Sequence, residues 1–384
     1  MPQPASQRAL LELVGGARLP DLSGLDWQLI AQLAALHRLE PLLQWRHGEN
    51  GAIPAEVRSN WYESYRVARM AALAQDADLG WAMSLLDTVG CTPVALKGAF
   101  LARHAYPDPA LRPMRDIDVL VPQDRAMTAW DALLAAGAQV IAPAKIPLAE
   151  VIRLEQHLPP LELPRDTVLE VHVRISDLSG RLEYATPAGH EAELIARAVM
   201  VDGIRYPDPT DLLAHLVTHA VYGHRFDCGP LVLSDVSYLA ARHPIDWPRF
   251  HAAAAADGWS KGAGLVLALV REFCGEAAVP SPPVPPDPAT LDLAAALLLQ
   301  DWQAKQMPRL LATVLTGGWR YALRRSSGTV AAEGEAAIMV DREAEGGRLR
   351  WAGRHLAALW RELGDPARRE QTRQLARFRR WIVQ

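Results

Sequence analysis

Asp116 and Asp118 stand directly before the apolar run Val119 to Val121, at a spacing that suits chemistry on a metal ion. Side chains alternate between the faces of a β-strand, so both carboxylates would point the same way, roughly 6–7 Å apart along the backbone. Two carboxylates at the start of a buried strand are costly unless a cation holds them. A divalent metal that carries nucleotide phosphates is the usual cation for such a pair. The alternative is a solvated strand edge on which Arg115 neutralises the acids.

Short apolar segments alternate with helical ones around this acidic pair. Thr92 to Leu96 and Ile117 to Val121 are predicted as strands, since both are short, apolar and bounded by turn residues. Val168 to Ile175 alternates apolar and polar residues, which predicts a third strand. Ala99 to Ala105 and the amphipathic segment Asp124 to Ala136 are predicted as helices between these strands. Strands separated by helices indicate an α/β core.

Helical periodicity dominates on both sides of this core. We therefore predict an α+β protein, mostly helical overall, with a small mixed β-sheet core flanked by N-terminal and C-terminal helical regions. The predicted regions are an N-terminal helical region (1–88), the α/β core (89–207), a helical region packed on the core (208–278), a proline-rich connector (279–288) and a C-terminal helical, arginine-rich region (289–384).

The bulk properties exclude several classes of protein. Half of the 384 residues are hydrophobic, which allows a substantial core, and the net charge of −4 neither demands nor excludes a nucleic-acid partner. The 3 cysteines have no CxxC spacing, which argues against a zinc site and against a disulfide framework. The N-terminus lacks the layout of a signal peptide, and no apolar run is long enough to span a membrane. We expect a cytoplasmic protein without membrane contact.

The block Leu96 to Pro122, LKGAFLARHAYPDPALRPMRDIDVLVP, resembles the hallmark of a bacterial group of nucleotidyltransferase family proteins. This group lies within the DNA polymerase beta-like nucleotidyltransferase superfamily. A weaker resemblance extends through Val168 to Arg174 and Pro209 to Tyr238. The resemblance implies that residues 89–207 form a nucleotidyltransferase core, in which carboxylates hold two Mg²⁺ ions, with Mn²⁺ as the alternative.

The resemblance also implies which residues hold the metal. Asp116 and Asp118 match the first two carboxylates of the superfamily, and both would be catalytic metal ligands. Glu170 is our candidate for the third, because it lies on a predicted strand. The alternative for Glu170 is a cross-strand ion pair with Arg174 or Arg112.

Further residues are candidates for contact with the nucleotide: Lys97, Gly98, Arg112, Arg115, His172 and Asp235. Lys97-Gly98 stands where the superfamily has Gly-Ser, and this departure leaves the donor nucleotide open, with ATP favoured. Gly98 would let the backbone approach a phosphate, and Lys97 would supply a positive charge. His172 would share a strand face with Glu170.

Structural roles compete with each of these contacts. Lys97 would otherwise face solvent, and the two arginines would otherwise neutralise the acidic pair, a role that we prefer for Arg115. His172 would otherwise be a half-buried histidine with its hydrogen bonds satisfied. Asp235 lies inside a predicted apolar helix, where it would otherwise pair with Arg225 or with a histidine.

Two further patterns carry weaker signals. His215 and His219 would share a helix face, but the residues between them lack the glutamate of a zincin, so we expect a core-facing or substrate-facing role. The arginine-rich C-terminus is typical either of an RNA-binding helix or of an ordinary solvated helix, and we prefer the latter.

The resemblance implies a Mg²⁺-dependent enzyme that moves a nucleoside monophosphate from an NTP to an unidentified hydroxyl or phosphate acceptor. The acceptor would be a small molecule, a peptide, a protein or an RNA, and the sequence indicates no oligomeric state. One alternative is a catalytically silent binding protein of the same fold, acting in peptide natural-product or polysaccharide biosynthesis. The other is a toxin-like nucleotidyltransferase that modifies RNA or protein.

Overall fold

The chain folds mostly into helices around one small mixed sheet, as a computed structural model shows for residues 5–144, 146–175, 190–301 and 364–383. The N-terminal part holds four helices: α1 (Ala5–Gly15), α2 (Trp27–Leu36), α3 (Glu40–His47) and α4 (Ala55–Thr88). Asp26 caps α2, since its carboxylate accepts a hydrogen bond from the Leu29 N–H at 2.9 Å. The alanine-rich α4 is 34 residues long and packs against α3 and against the core.

The sheet has five strands in the order β1-β2-β5-β4-β3. They are β1 (Val94–Ala95), β2 (Ile117–Leu120), β3 (Gln139–Val140), β4 (Leu161–Glu162) and β5 (Val168–His172). β2 and β5 are parallel, whereas the other neighbouring pairs are antiparallel. The mixed sheet and the helical majority confirm the α+β fold class.

All four residues of β2 are buried, so both faces of this central strand must be covered. Ile117 and Val119 belong to the main core, which α6 (Ala126–Ala135) joins through Trp130. On the other face Leu120 packs in a smaller cluster with Leu194. Asp118 shares this second face, because side chains alternate along a strand.

Short helices and turns connect the strands. After β1 come α5 (Gly98–Phe100), a π-helical turn (Leu101–Ala105) and a 3₁₀ turn (Pro109–Leu111); a second 3₁₀ turn (Gln123–Arg125) precedes α6, and α7 (Leu148–Leu154) precedes β4. Helix α8 (Glu191–Arg197) leads into a hairpin of β6 (Val199–Val201) and β7 (Ile204–Tyr206).

The hairpin was missing from our sequence prediction, as was β4. Strands of two or three residues are too short to show an alternating pattern. The turn of the hairpin nevertheless has a signature in the sequence. Its two residues, Asp202 and Gly203, both have positive φ, at 49° and 80°. Asp-Gly is a preferred pair for such two-residue turns.

The remaining elements are helical. They are α9 (Pro209–Thr218), a π-helical turn (His219–Gly223), α10 (Leu231–Arg242), α11 (Trp247–Ala256), α12 (Ser260–Cys274), α13 (Pro288–Leu298) and α14 (Pro366–Val383). The Asp208 carboxylate caps α9, as its sequence predicts. Residues 302–363 of the predicted C-terminal helical region lie outside the described residues. Among the described helices, none has the length and apolar character needed to cross a membrane.

Candidate active site

Asp118 is the most buried of the three candidate metal-binding acids, with 7% of its surface exposed. The Lys97 Nζ lies 3.4 Å from its Oδ2, and the His172 Nε2 lies 2.7 Å from its Oδ1. Burial alone raises the pKa of a carboxyl group, but Lys97 and His172 outweigh burial and hold the pKa of Asp118 well below its usual value. Asp118 is therefore a carboxylate at any physiological pH.

Glu170 lies beside Asp118 because β2 and β5 pair in parallel with these two residues opposite each other. Its Oε2 is 3.3 Å from the His157 Nε2 and 3.5 Å from the His172 Nε2. The structure thus pairs Glu170 with histidines, not with the arginines considered from the sequence. Arg174 instead donates to the backbone carbonyls of Ile152 and Glu155.

Ligand atoms of Asp118, Glu170 and His172 all lie within 4.8 Å of one another, close enough to surround one cation. Carboxylate oxygens suit Mg²⁺, and an added imidazole nitrogen also suits Mn²⁺. His172 has its pKa raised, since the attraction of Asp118 outweighs the effect of burial. In this structure a protonated His172 would bridge the two carboxylates.

Asp116 lies immediately before β2 and is half-buried. Burial, followed by the negative charges of Asp118 and Glu170, raises the pKa of Asp116 to about 6. Within the part of the chain that the structure describes, no cationic side chain lies in ion-pair contact with it. A carboxyl group held in this way fits a site that a divalent cation would complete.

The turn between β1 and α5 brings Lys97 to the acids. Lys97 has a φ of +42°, a backbone conformation that residues other than glycine adopt only under strain. Its side chain is 13% exposed and contacts Asp118, so it does not face solvent. A Cβ on the next residue, Gly98, would lie 2.4 Å from the Arg112 Nη1 and 2.6 Å from the Met114 Sδ. A larger residue here would require the Arg112 and Met114 side chains to shift.

Arg112 and Asp235 form a two-pronged ion pair. The Arg112 Nε donates to Oδ1 at 2.8 Å and Nη2 donates to Oδ2 at 3.0 Å, while the Tyr106 hydroxyl donates to Oδ1 at 2.7 Å. The partners of Asp235 are therefore Arg112 and Tyr106, where the sequence suggested Arg225 or a histidine. Their predicted contact with nucleotide stays a prediction, as does that of Arg115, which is exposed on the loop before Asp116.

Residues 23–275 match a family described as uncharacterised nucleotidyltransferases. The match covers well over half of the 384 residues. The chain belongs to this uncharacterised nucleotidyltransferase family. No curated protein matches it significantly. The matched segment includes the sheet, all three acids and the helices from α2 to α12.

Histidines lie closer to the candidate acids of this family member than the sequence suggested. His157 joins the end of β5 through an isolated bridge to His172, and no pattern around it in the sequence marks that position. His215 is 2% exposed, and among the described residues neither ring nitrogen has a hydrogen-bond partner. Burial, with Lys97 as a lesser cause, lowers the pKa of His215 well below its usual value. The rings of His215 and His219 meet edge to face, with their centroids 5.9 Å apart. Neither histidine belongs to the cluster of ligand atoms around Asp118 that could hold a cation.

Proposed function

We propose that the protein is a Mg²⁺-dependent nucleotidyltransferase that transfers a nucleoside monophosphate from an NTP to a hydroxyl or phosphate acceptor. The observation that carries the proposal is the placement of Asp118 and Glu170 side by side on parallel strands, with Asp116 immediately before the first of them. Family membership supports the reaction class. ATP is the favoured donor, and Mn²⁺ is the alternative cation.

Asp116, Asp118 and Glu170 would hold the metal. When bound, divalent cations neutralise the triphosphate and acidify the attacking hydroxyl. Asp118 stays ionised through Lys97 and His172, and His172 orients both strand carboxylates. Lys97 would place a positive charge beside a phosphate, and Gly98 would allow the backbone to approach it.

The test compares NTP binding with Mg²⁺ and with EDTA, using labelled NTPs and calorimetry. In the wild type we expect Mg²⁺ to strengthen binding, and in Asp116→Asn or Asp118→Asn we expect that gain to fall by about tenfold or more. Glu162→Gln is the matched control, since Glu162 is exposed on the neighbouring β4. Metal-dependent binding that is indifferent to both aspartate substitutions would contradict the proposal.

A second candidate function is a catalytically silent binding protein. It is supported by the contact of Lys97 with Asp118, in which a cation of the protein itself partly occupies the acidic site, and by Lys97-Gly98 in place of Gly-Ser. Such a protein would bind a precursor peptide or a saccharide without affinity for metal and NTP. Calorimetry with Mg²⁺ and NTP separates this candidate from the first.

A third candidate is a toxin-like enzyme that modifies RNA or protein. On α14 four exposed arginines follow helical spacing and form one stripe: Arg369, Arg373, Arg377 and Arg380. The opposite face packs inward, where Phe378 contacts Phe226 at 5.4 Å between ring centroids. If RNA is the acceptor, Arg373→Ala with Arg377→Ala should weaken RNA binding and lower its salt dependence. RNA binding that does not depend on the salt concentration would exclude RNA as the acceptor.

A further inference from the structure

Arg38 occupies a strained position where the N-terminal helices meet the core. It lies between the end of α2 and the start of α3 with a φ of +55°. Its N–H donates to the Ala35 carbonyl at 3.1 Å, and the Leu39 N–H donates to the Ala34 carbonyl at 2.8 Å. Glycine is the usual residue at such a helix end, because it adopts positive φ without strain. An arginine at this position calls for a reason.

Two nitrogens of the Arg38 guanidinium lack hydrogen-bond partners inside the described part of the chain. Its Nε and Nη1 are buried, and neither makes a hydrogen bond. Burial, then the positive charges of Arg115 and Arg112, lowers the pKa of Arg38 to about 10, so it stays charged at neutral pH. A buried charge without a partner is costly unless a ligand supplies the counter-charge.

No acid of the described chain neutralises Arg38. The Asp116 carboxylate attracts it, yet no ion pair joins them, and Asp116 lies with Asp118 in the acidic cluster. Asp235 is already occupied by Arg112. An anion that accepts more than one N–H donor would supply the missing partner.

The backbone fixes where Arg38 lies. A Cβ on Gly229 would stand 2.8 Å from the Nδ1 of the neighbouring His37, so the α2–α3 junction presses against the loop before α10. The Nε2 of His37 is also buried without a hydrogen bond in the described structure. Two adjacent side chains thus have unused polar groups, and both lie close enough to Arg115 to be affected by its charge.

We propose that Arg38 binds a phosphate group of the substrate, so that the N-terminal helices complete the site of the α/β core. The planar guanidinium matches phosphate oxygens with paired N–H donors. The source of the phosphate rests on the proposed function: it is either the triphosphate of the donor or a phosphate on the acceptor.

The experiment measures phosphate binding without metal, using calorimetry on the full chain with sodium tripolyphosphate and with orthophosphate. The variants are Arg38→Gln and Arg38→Gly, and the control is Arg66→Gln, which removes an exposed arginine of α4 paired with Glu63. We expect both Arg38 variants to bind about tenfold more weakly or worse, and the control to bind as the wild type does.

Thermal unfolding of the same variants excludes a purely structural role. Arg38→Gly relieves the backbone strain at the positive φ and removes the buried charge. The Tm of this variant should therefore match or exceed that of the wild type. Phosphate affinity that is unchanged in both Arg38 variants would overturn the proposal. Absence of phosphate binding in the wild type would overturn it as well.

Two further titrations identify the source and separate this proposal from the proposed function. If the Arg38 variants lose tripolyphosphate binding but bind orthophosphate as the wild type does, Arg38 contacts the donor triphosphate. If they lose orthophosphate binding in the presence of saturating NTP, Arg38 contacts a phosphate of the acceptor. If Asp118→Asn keeps its Mg²⁺-dependent NTP binding while the Arg38 variants lose tripolyphosphate, the proposed function fails and the role of Arg38 stands. If Asp118→Asn loses its Mg²⁺-dependent NTP binding while the Arg38 variants keep tripolyphosphate binding, only the proposed role of Arg38 is rejected.

Discussion

The charged residues of the candidate site are constrained by the charges of their neighbours, and Gly98 by the space around it. Asp118 remains ionised because Lys97 and His172 contact it, while Asp116, which has no such contact in the described structure, has its pKa raised to about 6. Lys97, which contacts Asp118, lies in a turn and has a positive φ. The next residue, Gly98, must be small because Arg112 and Met114 crowd it.

We predict that Gly98→Ala destabilises the protein by about 1–3 kcal/mol, since the added methyl group would overlap Arg112 and Met114. Urea unfolding measures the change. Gly80→Ala is the matched control: it lies within α4, a Cβ there meets nothing within 4 Å, and a gain of roughly 0.5–1 kcal/mol is expected from helix propensity. Equal effects of the two substitutions would show that the crowding at Gly98 is unimportant.

At the scale of elements, one buried ion pair connects α10 to the loop before β2. Asp235 on α10 accepts two hydrogen bonds from Arg112 and one from Tyr106. Asp235 is 3% exposed, so its charge depends on these donors. The loop that places Asp116 is therefore held by a helix more than a hundred residues away in sequence.

We predict that Asp235→Asn costs about 3–5 kcal/mol, because it leaves the Arg112 charge buried without a counter-charge. Tyr106→Phe removes one hydrogen bond and should cost only about 1 kcal/mol. Denaturant unfolding of both variants gives the comparison. If the two substitutions cost the same, the charge of Asp235 contributes little beyond an ordinary hydrogen bond.

For the molecule as a whole, one hydrophobic cluster extends from Leu10 on α1 to Phe378 on α14, and several histidines are buried in or beside it. Burial lowers the pKa of His37 to about 4 and lowers those of His215 and His219 well below the usual value. His172 is the exception, because Asp118 overcomes burial and raises its pKa.

These shifts set opposite signs for the dependence of stability on pH. Below about 6.5 the unfolded chain protonates a histidine that the folded chain keeps neutral, so the contribution of His37 is present above that pH and is lost as the pH falls. His172 behaves in the opposite way: its contribution is present at low pH and is lost as the pH rises through its folded pKa.

We predict that His37→Gln makes stability less sensitive to acid between about pH 7 and pH 5, whereas His172→Gln makes it more sensitive. Urea midpoints of metal-free protein across this range provide the measurement. Parallel curves for the wild type and His37→Gln would show that His37 does not titrate differently in the folded and unfolded states.

Local patterns in the sequence predicted a large share of the fold and part of the candidate site. Helical periodicity indicated most helices, and the alternating strand Val168 to Ile175 placed Glu170 and His172 on one face. The partners of these side chains were harder to predict. Asp235 contacts Arg112 across 123 positions of sequence, and His157 reaches Glu170 from an irregular segment without any pattern.

The sequence by itself predicted a buried strand at the acidic pair, with Asp116 and Asp118 pointing the same way, because the alternation of side chains is fixed by backbone geometry. The strand in the structure begins at Ile117, directly after Asp116. Only the tertiary structure decided that Asp118 pairs in register with Glu170, because register depends on how distant segments bury their apolar faces. It also decided that Lys97 contacts Asp118 and that two guanidinium nitrogens of Arg38 are buried without a partner among the described residues. Such contacts between charged groups follow from packing over long sequence distances, which no local pattern records.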